Sequence, residues 1–371
     1  MDISKFTYTK VSWLIEEGFI KDVNGELPFE GKPTFLHVAV VNSDEKLVDY
    51  LLRKQADKNL NNLIWGTPLH VAVGNKNLKI IQTLITSGVN VNLQLLTDPW
   101  LTTLQMAVLQ KNIEIAELLL ENGADVNFVS DNPNVLTHRK TLLNIAIRSD
   151  DEQMVKLLLK HNADPNSDIS GDVSPLHIAT GSGNLKIIKI LLAHGANINF
   201  VPVHGYINQT PLYFAVLHEH SKAVKLLLNY DTIDINIIAD CESSVLHYGA
   251  MFVKFNYKIV QYLLDAGIDV NLKNDIGETV LDIAEQFPGK VKLLIRRHII
   301  KLIAANLHVS KENLAAVTNN RLTKARDSCV KEIEKMKKIN IGESNLTFHD
   351  ALFKDEHGLA VFHRNGNYVH T

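Results

Sequence analysis

TPLHVAV, which spans Thr67 to Val73, recurs in varied form eight times along the 371-residue chain. The copies begin at Thr34, Thr67, Thr102, Thr141, Ser174, Thr210, Ser244 and Thr279, and they are 33, 35, 39, 33, 36, 34 and 35 residues apart. A repeat of nearly constant length indicates that similar structural units are stacked one on the next. No Pro-, Gly- or Ser-rich linker divides this array.

Each copy of the phrase is typical of a helix start. The hydroxyl of the leading Thr or Ser can accept a hydrogen bond from a free backbone N–H in the first turn. Pro68, Pro175 and Pro211 follow it at a position where a missing N–H costs nothing. Leu and Ala at the third and sixth positions lie on one helical face, which we expect to be buried.

A second amphipathic phrase follows, as in IAELLLENGADVN at residues 115–127. Four of these phrases close with a glycine and one closes with Asn162, and both residue types tolerate the left-handed conformation that ends many helices. Each unit is therefore predicted to contain a helix, a turn, a second helix and a loop. Because one helix pair cannot bury its apolar faces alone, stacking must supply the core.

The period and both phrases resemble the ankyrin repeat. The resemblance implies an all-α solenoid of helix-turn-helix units with β-hairpin loops, which binds other proteins and is not an enzyme. In that family the histidine of the first phrase ties neighbouring loops together by hydrogen bonds. The residues predicted to be structural are Thr67, His70, Ser174 and His177, with the capping glycines Gly88, Gly123, Gly195 and Gly267.

The two ends of the array differ from its middle. Residues 11–25 resemble the second half of an ankyrin unit, so a capping half-repeat is expected over residues 1–30. About eight repeats are then expected over residues 31–295. The last repeat has no glycine and asparagine closure and runs into a different segment.

Loop length varies between units, whereas the distance from the alanine of the phrase to the closing asparagine is 20 residues in five successive units. The longest loops are 93–101, 128–140 and 200–209. Insertions on one edge commonly mark the binding face of a repeat protein, and aromatic and Arg side chains often anchor interfaces. The predicted protein-binding residues of this concave site are Trp100, Phe128, His138, Arg139, Phe200, His204 and Tyr206. The alternative is that the aromatic side chains pack against adjacent repeats.

Residues 296–355 contain IIKLIAANLHVS at 299–310, a Cys329-x3-Ile333-x2-Met336 helix, and NLTFHDALF at 345–353. Together they resemble the PRANC domain of poxvirus and parasitoid-wasp ankyrin proteins. PRANC domains are similar to F-boxes, so the resemblance implies a small helical domain that recruits the Skp adaptor of a cullin–RING (SCF-type) ubiquitin ligase. The residues that would form its docking face, or the core beneath it, are Ile299, Leu302, Leu307, Leu346, Phe348, Leu352 and Phe353. The Leu-Pro-x-Glu start of an F-box helix is missing, and residues 356–371 are expected to form a polar tail.

Charge is divided unevenly along the chain. Residues 289–338 contain 13 Lys and Arg against 4 Asp and Glu, although the whole chain carries a formal net charge of −3, so the repeats are acidic. An acidic array suits a basic partner such as a Rel-type factor, which supports the alternative of a stoichiometric inhibitor similar to the NF-kappa-B inhibitory ankyrin proteins. The basic residues of 289–338 alternate with Leu, Ile and Glu and lack interleaved aromatics, which argues against nucleic acid.

Other candidate sites lack the residues that their chemistry needs. Cys241 and Cys329 do not have the spacing of a zinc site or a disulfide framework. His218-Glu-His220 has no third ligand at usable spacing, and Gly181-Ser-Gly183 has no third glycine or preceding strand. No nucleophile elbow, P-loop or zinc-hydrolase motif is present, so we expect neither an enzyme nor a cofactor.

Targeting signals are also missing from the sequence. Asp2, Lys5 and Lys10 interrupt the apolar stretch that a signal peptide requires, and no run of about 18 apolar residues follows. The sequence therefore predicts a cytoplasmic or nuclear protein that does not bind membranes.

Overall fold

The computed structural model describes residues 3–97, 100–129, 141–167, 173–202, 209–238, 242–252, 257–287, 289–305 and 307–317. The chain divides into two compact units, 1–170 and 171–371. Within the described residues, strand structure is limited to isolated β-bridges and all other regular elements are helices. The all-α architecture predicted from the repeat is confirmed.

The first unit begins with a 3₁₀ turn and an unpaired helix, which are followed by four helix pairs. The 3₁₀ turn is Ile3–Lys5, and the helices are α1 (Tyr8–Glu16), α2 (Phe35–Val41), α3 (Glu45–Arg53), α4 (Pro68–Gly74), α5 (Leu78–Thr86), α6 (Thr103–Leu109), α7 (Ile113–Glu121), α8 (Leu142–Arg148) and α9 (Glu152–Lys160). The first helices of the pairs form an inner layer, in which α2 contacts α4, α4 contacts α6 and α6 contacts α8. The outer layer runs from α1 through α3, α5, α7 and α9.

The described residues of the second unit form four more pairs and, after them, a short helix. Its helices are α10 (Pro175–Ser182), α11 (Leu185–Ala193), α12 (Pro211–Leu217), α13 (Ser221–Leu227), α14 (Val245–Phe252), α15 (Tyr257–Asp265), α16 (Val280–Gln286), α17 (Lys290–Ala304) and α18 (Lys311–Val317). The inner layer is α10, α12, α14 and α16, and the outer layer is α11, α13, α15 and α17. None of the described helices combines the length and the apolarity needed to cross a membrane.

The recurring phrase forms the inner helices for the local reasons expected. In α4, the Thr67 hydroxyl accepts the backbone N–H of His70 at 3.3 Å, and Pro68 occupies the first turn. Leu69 and Ala72 are fully buried. Because alanine is small, the neighbouring inner helices can approach closely, and the core lies between the inner and outer layers.

The asparagine that closes each repeat links it to the next repeat. The Asn92 side chain accepts the backbone N–H of Asp125 at 2.8 Å and donates to the Gly123 carbonyl at 3.0 Å. Equivalent bonds to a backbone N–H join Asn24 to Asp57, Asn59 to Asn90, Asn127 to Asp164, Asn199 to Asp234, Asn236 to Asp269 and Asn271 to Ser310. These bonds join the loops of successive repeats. They therefore fix the distance between neighbouring loops, in addition to the distance between neighbouring helices.

The last of these bonds shows how the array ends. The Ser310 backbone N–H makes the bond that the N–H of an aspartate or asparagine makes in earlier repeats. The outer helix before it, α17, has 15 residues, whereas the other outer helices have nine or fewer. Asn313 in α18 is buried and donates to the Val270 carbonyl at 3.0 Å. The predicted boundary between residues 295 and 296 falls inside α17, and α17 packs on α15 and α16.

Candidate protein-binding surface

Three loops of the first unit form short hairpins that we call the first, second and third fingers (residues 26–34, 62–66 and 94–102). Each is closed by one antiparallel β-bridge, which joins Glu26 to Thr34, Asn62 to Gly66 and Gln94 to Thr102. Each finger ends at or beside the residue that begins an inner helix. The position of a finger is therefore set by the helix that follows it.

A buried histidine holds the base of the second finger and another holds the base of the third. His37 Nδ1 accepts the backbone N–H of Thr34 at 3.3 Å, which leaves Nε2 as the donor to the Gly66 carbonyl at 3.0 Å. His70 makes the same pair of bonds one repeat later, with its Nε2 3.1 Å from the Leu101 carbonyl. Burial lowers the pKa of His37 and lowers that of His70 to about 4, so both rings are neutral at pH 7.

The first and second fingers are hydrogen-bonded to each other. Asn62 Nδ2 donates to the Gly31 carbonyl at 2.5 Å, and the indole N–H of Trp65 donates to the Glu30 carbonyl at 3.1 Å. The Ile64 side chain lies so close to Gly31 that a Cβ at this glycine would be 2.8 Å from it. Trp65 is half-buried as a result of this packing.

The second and third fingers are joined in the same way. Asn61 Nδ2 donates to the Gln94 carbonyl at 2.6 Å, and the Thr97 hydroxyl donates to the Leu63 carbonyl at 3.1 Å. These bonds fix three loops as one surface before any partner is present. A surface that is ordered in advance avoids much of the entropy cost of binding.

The tips of the second and third fingers expose apolar side chains. Leu63 is 64% exposed, Ile64 is 62% exposed and Leu96 is 42% exposed. We call these three residues the finger patch. The Leu63 carbonyl accepts the Thr97 hydroxyl, so the two fingers that carry the patch are held side by side. Adjacent exposed apolar side chains on a soluble protein are typical of interaction sites.

Trp100, Phe128 and Phe200, three residues proposed from sequence, are described and all are half-buried. Trp100 lies in the third finger with a left-handed φ of +55°, and its carbonyl accepts Gln94 Nε2 at 3.2 Å. The Phe200 ring lies edge-on to His177 with 6.1 Å between the ring centroids. Phe200 thus packs against a histidine of the repeat that it follows, whereas Trp100 lies in the third finger.

The remaining sequence candidates fall into two groups. His138, Arg139, His204, Tyr206, Leu346, Phe348, Leu352 and Phe353 lie outside the described residues. Of the C-terminal candidates that are described, Ile299 is fully buried in α17, and Leu302 and Leu307 are half-buried. Ile299 therefore belongs to the core of the second unit.

The second unit repeats the histidine arrangement at His177 and His247, and the equivalent positions of its other two described repeats hold Tyr213 and Asp282. His177 Nδ1 accepts the Ser174 backbone N–H at 3.2 Å, and its Nε2 is 2.7 Å from the Gln209 carbonyl. Burial lowers the pKa of His177 to about 4. At the equivalent position of the next repeat the Tyr213 hydroxyl donates to the Ser243 carbonyl. A phenol therefore replaces the imidazole as donor to the following loop.

Sequence reasoning missed Leu63 and Ile64. It selected loops by their length, and the loop between Asn59 and Thr67 has only seven residues. A signal was present, however, because Leu63-Ile64-Trp65 is a run of three apolar residues where a polar turn is expected. Among the described side chains, no cluster of three or more His, Cys, Asp and Glu could hold a metal ion.

Comparison with known proteins agrees with this geometry. The family profile for ankyrin repeats matches the chain in three copies, at residues 36–130, 104–202 and 202–274. An ankyrin repeat protein of fowlpox virus (strain NVSL) is 29% identical over 230 residues, which cover 59% of this chain and 66% of that protein.

Two further relatives match shorter parts of longer proteins. The NF-kappa-B p105 subunit of Gallus gallus is 27% identical over 277 residues, which cover 71% of this chain and 23% of the relative. Human ankyrin repeat and SOCS box protein 14 is 37% identical over 97 residues, which cover 25% of this chain and 15% of the relative. The chain thus spans just under two thirds of the fowlpox protein and less than a quarter of the other two. Since the residues matched by the family profile make up more than half of the chain, the protein belongs to the ankyrin-repeat family.

Proposed function

We propose that this ankyrin-repeat scaffold captures a target protein on the finger edge of its first unit and that residues 296–355 recruit a cullin–RING (SCF-type) ubiquitin ligase. The observation that carries the first half is the finger patch, because its apolar tips are exposed on loops that are already fixed by hydrogen bonds. Apolar side chains at the centre of an interface supply most of its binding free energy.

The second half is supported by the C-terminal sequence. NLTFHDALF at 345–353 is one of three features in residues 296–355 that resemble the F-box-like PRANC domain. The relative from fowlpox virus is in line with this resemblance, since PRANC domains follow ankyrin repeats in poxvirus proteins. The human relative is named for ankyrin repeats and a SOCS box. Its name is therefore an example of ankyrin repeats combined with a second module.

Co-purification with two matched variants of the full chain tests both halves. Replacing Leu346, Phe348, Leu352 and Phe353 by alanine is expected to remove Skp and cullin subunits while the captured target is retained. Leu63→Ser with Ile64→Ser is expected to remove the target and to retain the ligase subunits. The adaptor proposal is wrong if wild-type protein carries no Skp or cullin, or if the quadruple variant still carries them.

A stoichiometric inhibitor of a Rel-type factor is the second candidate. Two observations favour it: the repeats are acidic, and the match to the p105 subunit covers 71% of this chain. In this case a Rel protein co-purifies with the wild-type chain and with the quadruple variant, and its level in cells is unchanged by proteasome inhibition. If no Rel protein co-purifies, this candidate is excluded.

A further inference from the structure

The inner helices of the second unit end, and its outer helices begin, along an edge that the finger proposal does not use. Three apolar side chains are exposed there at the ends of successive inner helices: Leu217 is 40% exposed, Met251 37% and Phe287 38%. Since α12 contacts α14 and α14 contacts α16, the three residues lie on neighbouring helices. Packed helices are about 8–10 Å apart, so the row extends over roughly 20 Å.

Exposed lysines accompany this apolar row. Lys186, Lys222, Lys258 and Lys290 each lie in the first turn of an outer helix, namely α11, α13, α15 and α17, and the first turns of these four helices contain no acidic residue. We call the apolar row and the four lysines together the lysine edge. Glu219, which has a left-handed φ of +56° in the turn before α13, is the acidic residue of these turns.

Helix stability does not explain the lysines. A carboxylate is favoured in the first turn of a helix and a cation is disfavoured, because the helix dipole is positive at that end. In the first unit, α3, α7 and α9 have Glu45, Glu114 and Glu152 in their first turns, whereas α5 has Lys79 and no acidic residue there. Local departures from such preferences are most often found at functional sites.

The turns of this edge are held beside one another. His220 Nε2 is 2.9 Å from the Gly181 carbonyl, which joins the turn before α13 to the last turn of α10. At the other end, Lys290 Nζ lies 5.0 Å from the centre of the Tyr257 ring, which joins α17 to the start of α15. The positive charges and the apolar row are therefore parts of one surface.

We propose that the lysine edge binds an acidic protein segment that places apolar side chains on Leu217, Met251 and Phe287. Charge complementarity selects this occupant, because the four lysines outnumber the two described glutamates beside the row, Glu219 and Glu285, and Glu285 is paired with Arg296. Methionine adapts its shape to different apolar partners, which suits a peptide-binding row. The acidic charge of the repeats as a whole favours a basic partner, but the charge of this edge has the opposite sign.

A protein segment fits this surface better than a nucleic acid. Binding of a single strand requires aromatic side chains on which successive bases stack, whereas two of the three apolar residues in the row are aliphatic. The inference is independent of the proposed function, because it concerns a different edge of a different unit. Its failure would leave capture by the finger patch unaffected.

Selection from a display library of random 16-residue peptides on the full-length protein tests the proposal. The expected result is enrichment of peptides rich in Asp and Glu that also contain Leu, Met or Phe. Binding of an enriched peptide is then measured with Lys222→Glu/Lys258→Glu, and we expect its affinity to fall at least tenfold. This variant should fold at least as well as wild type, since glutamate is favoured where these lysines stand.

Matched controls separate this edge from general electrostatics. Lys46→Glu/Lys156→Glu makes the same charge change at exposed positions of the first unit and should leave peptide affinity within twofold of wild type. Met251→Ser should weaken the same peptide severalfold without changing its salt dependence. The proposal is overturned if no acidic peptide is enriched, if both double variants weaken binding equally, or if wild type prefers single-stranded DNA or phosphatidylserine vesicles to the selected peptide.

Discussion

The Nε2 atom of His70 lies 3.1 Å from the carbonyl oxygen of Leu101, and this bond ties the helix of one repeat to the finger of the next. The two residues are 31 positions apart, so the bond depends on the stacking of whole repeats. Leu101 directly follows Trp100 in the third finger, which also carries Leu96 of the finger patch. The same His70 side chain therefore stabilises the stacking of two repeats and holds the finger that carries part of the binding surface.

Replacing His70 by alanine should lower the free energy of unfolding by about 2–4 kcal/mol. The change leaves a cavity and removes buried hydrogen bonds at both ring nitrogens. Chemical denaturation followed by circular dichroism measures the loss. His70→Gln is the matched control, because Gln105 holds the same position in the next repeat and accepts the Thr102 N–H at 2.8 Å. A loss for glutamine as large as that for alanine would contradict the role given to these bonds.

Stability should fall when the pH is lowered through the range in which free histidine titrates. His70 and His177 have pKa values of about 4 in the folded chain, against 6.5 for the unfolded chain. The unfolded state therefore binds more protons between these values, so the stabilisation is complete above pH 6.5 and declines toward pH 4. Each histidine can account for at most about 3 kcal/mol. Denaturation curves at pH 7.5, 6 and 5 measure the decline.

The same pH series on His70→Gln supplies the control. This variant should lose less stability between pH 7.5 and pH 5 than the wild-type chain, because one of the buried histidines with a lowered pKa has been removed. Equal losses for both proteins would show that His70 does not contribute to the acid sensitivity.

Leu63→Ser with Ile64→Ser should weaken capture of a target at least tenfold and change the free energy of unfolding by less than about 0.5 kcal/mol. Both side chains are mostly exposed, so little packing is lost, whereas central apolar residues dominate interfaces. Affinity and melting temperature are the measurements. Ile276→Ser, at an exposed loop position of the second unit, should change neither value. A large fall in melting temperature of the double variant would show that the finger tips stabilise the fold.

Gly66→Ala should destabilise the protein more than Gly123→Ala. Both glycines have a left-handed φ, +70° and +85°, so alanine costs about 1 kcal/mol at either position from backbone strain. At Gly123 a Cβ would meet nothing within 4 Å, whereas at Gly66 it would collide with Leu95 of the third finger and lie 3.1 Å from His70. Melting temperatures measure the difference, and equal shifts would contradict the close packing of the fingers.

The local elements could be predicted because their causes lie within a few residues. Thr67, Pro68 and Ala72 specify the start and the buried face of α4, and the caps at Gly88 and Gly123 have the left-handed φ expected of them. The sequence predicted the end of the repeats at residue 295, but it did not single out Ser310. The Ser310 backbone N–H donates to the side chain of Asn271, 39 residues earlier in the chain. No local pattern marks this serine as a substitute for aspartate.

The sequence by itself determined the repeat, the helix pairs and the membership of the ankyrin family, because capping and helical periodicity act over short distances along the chain. Only the tertiary structure decided which side chains form surfaces. Leu63 and Ile64 point outward because Asn61 and Asn62 fix their finger between two others. Likewise, Lys222, Lys258 and Lys290 form one edge only because stacking brings residues more than 30 positions apart side by side.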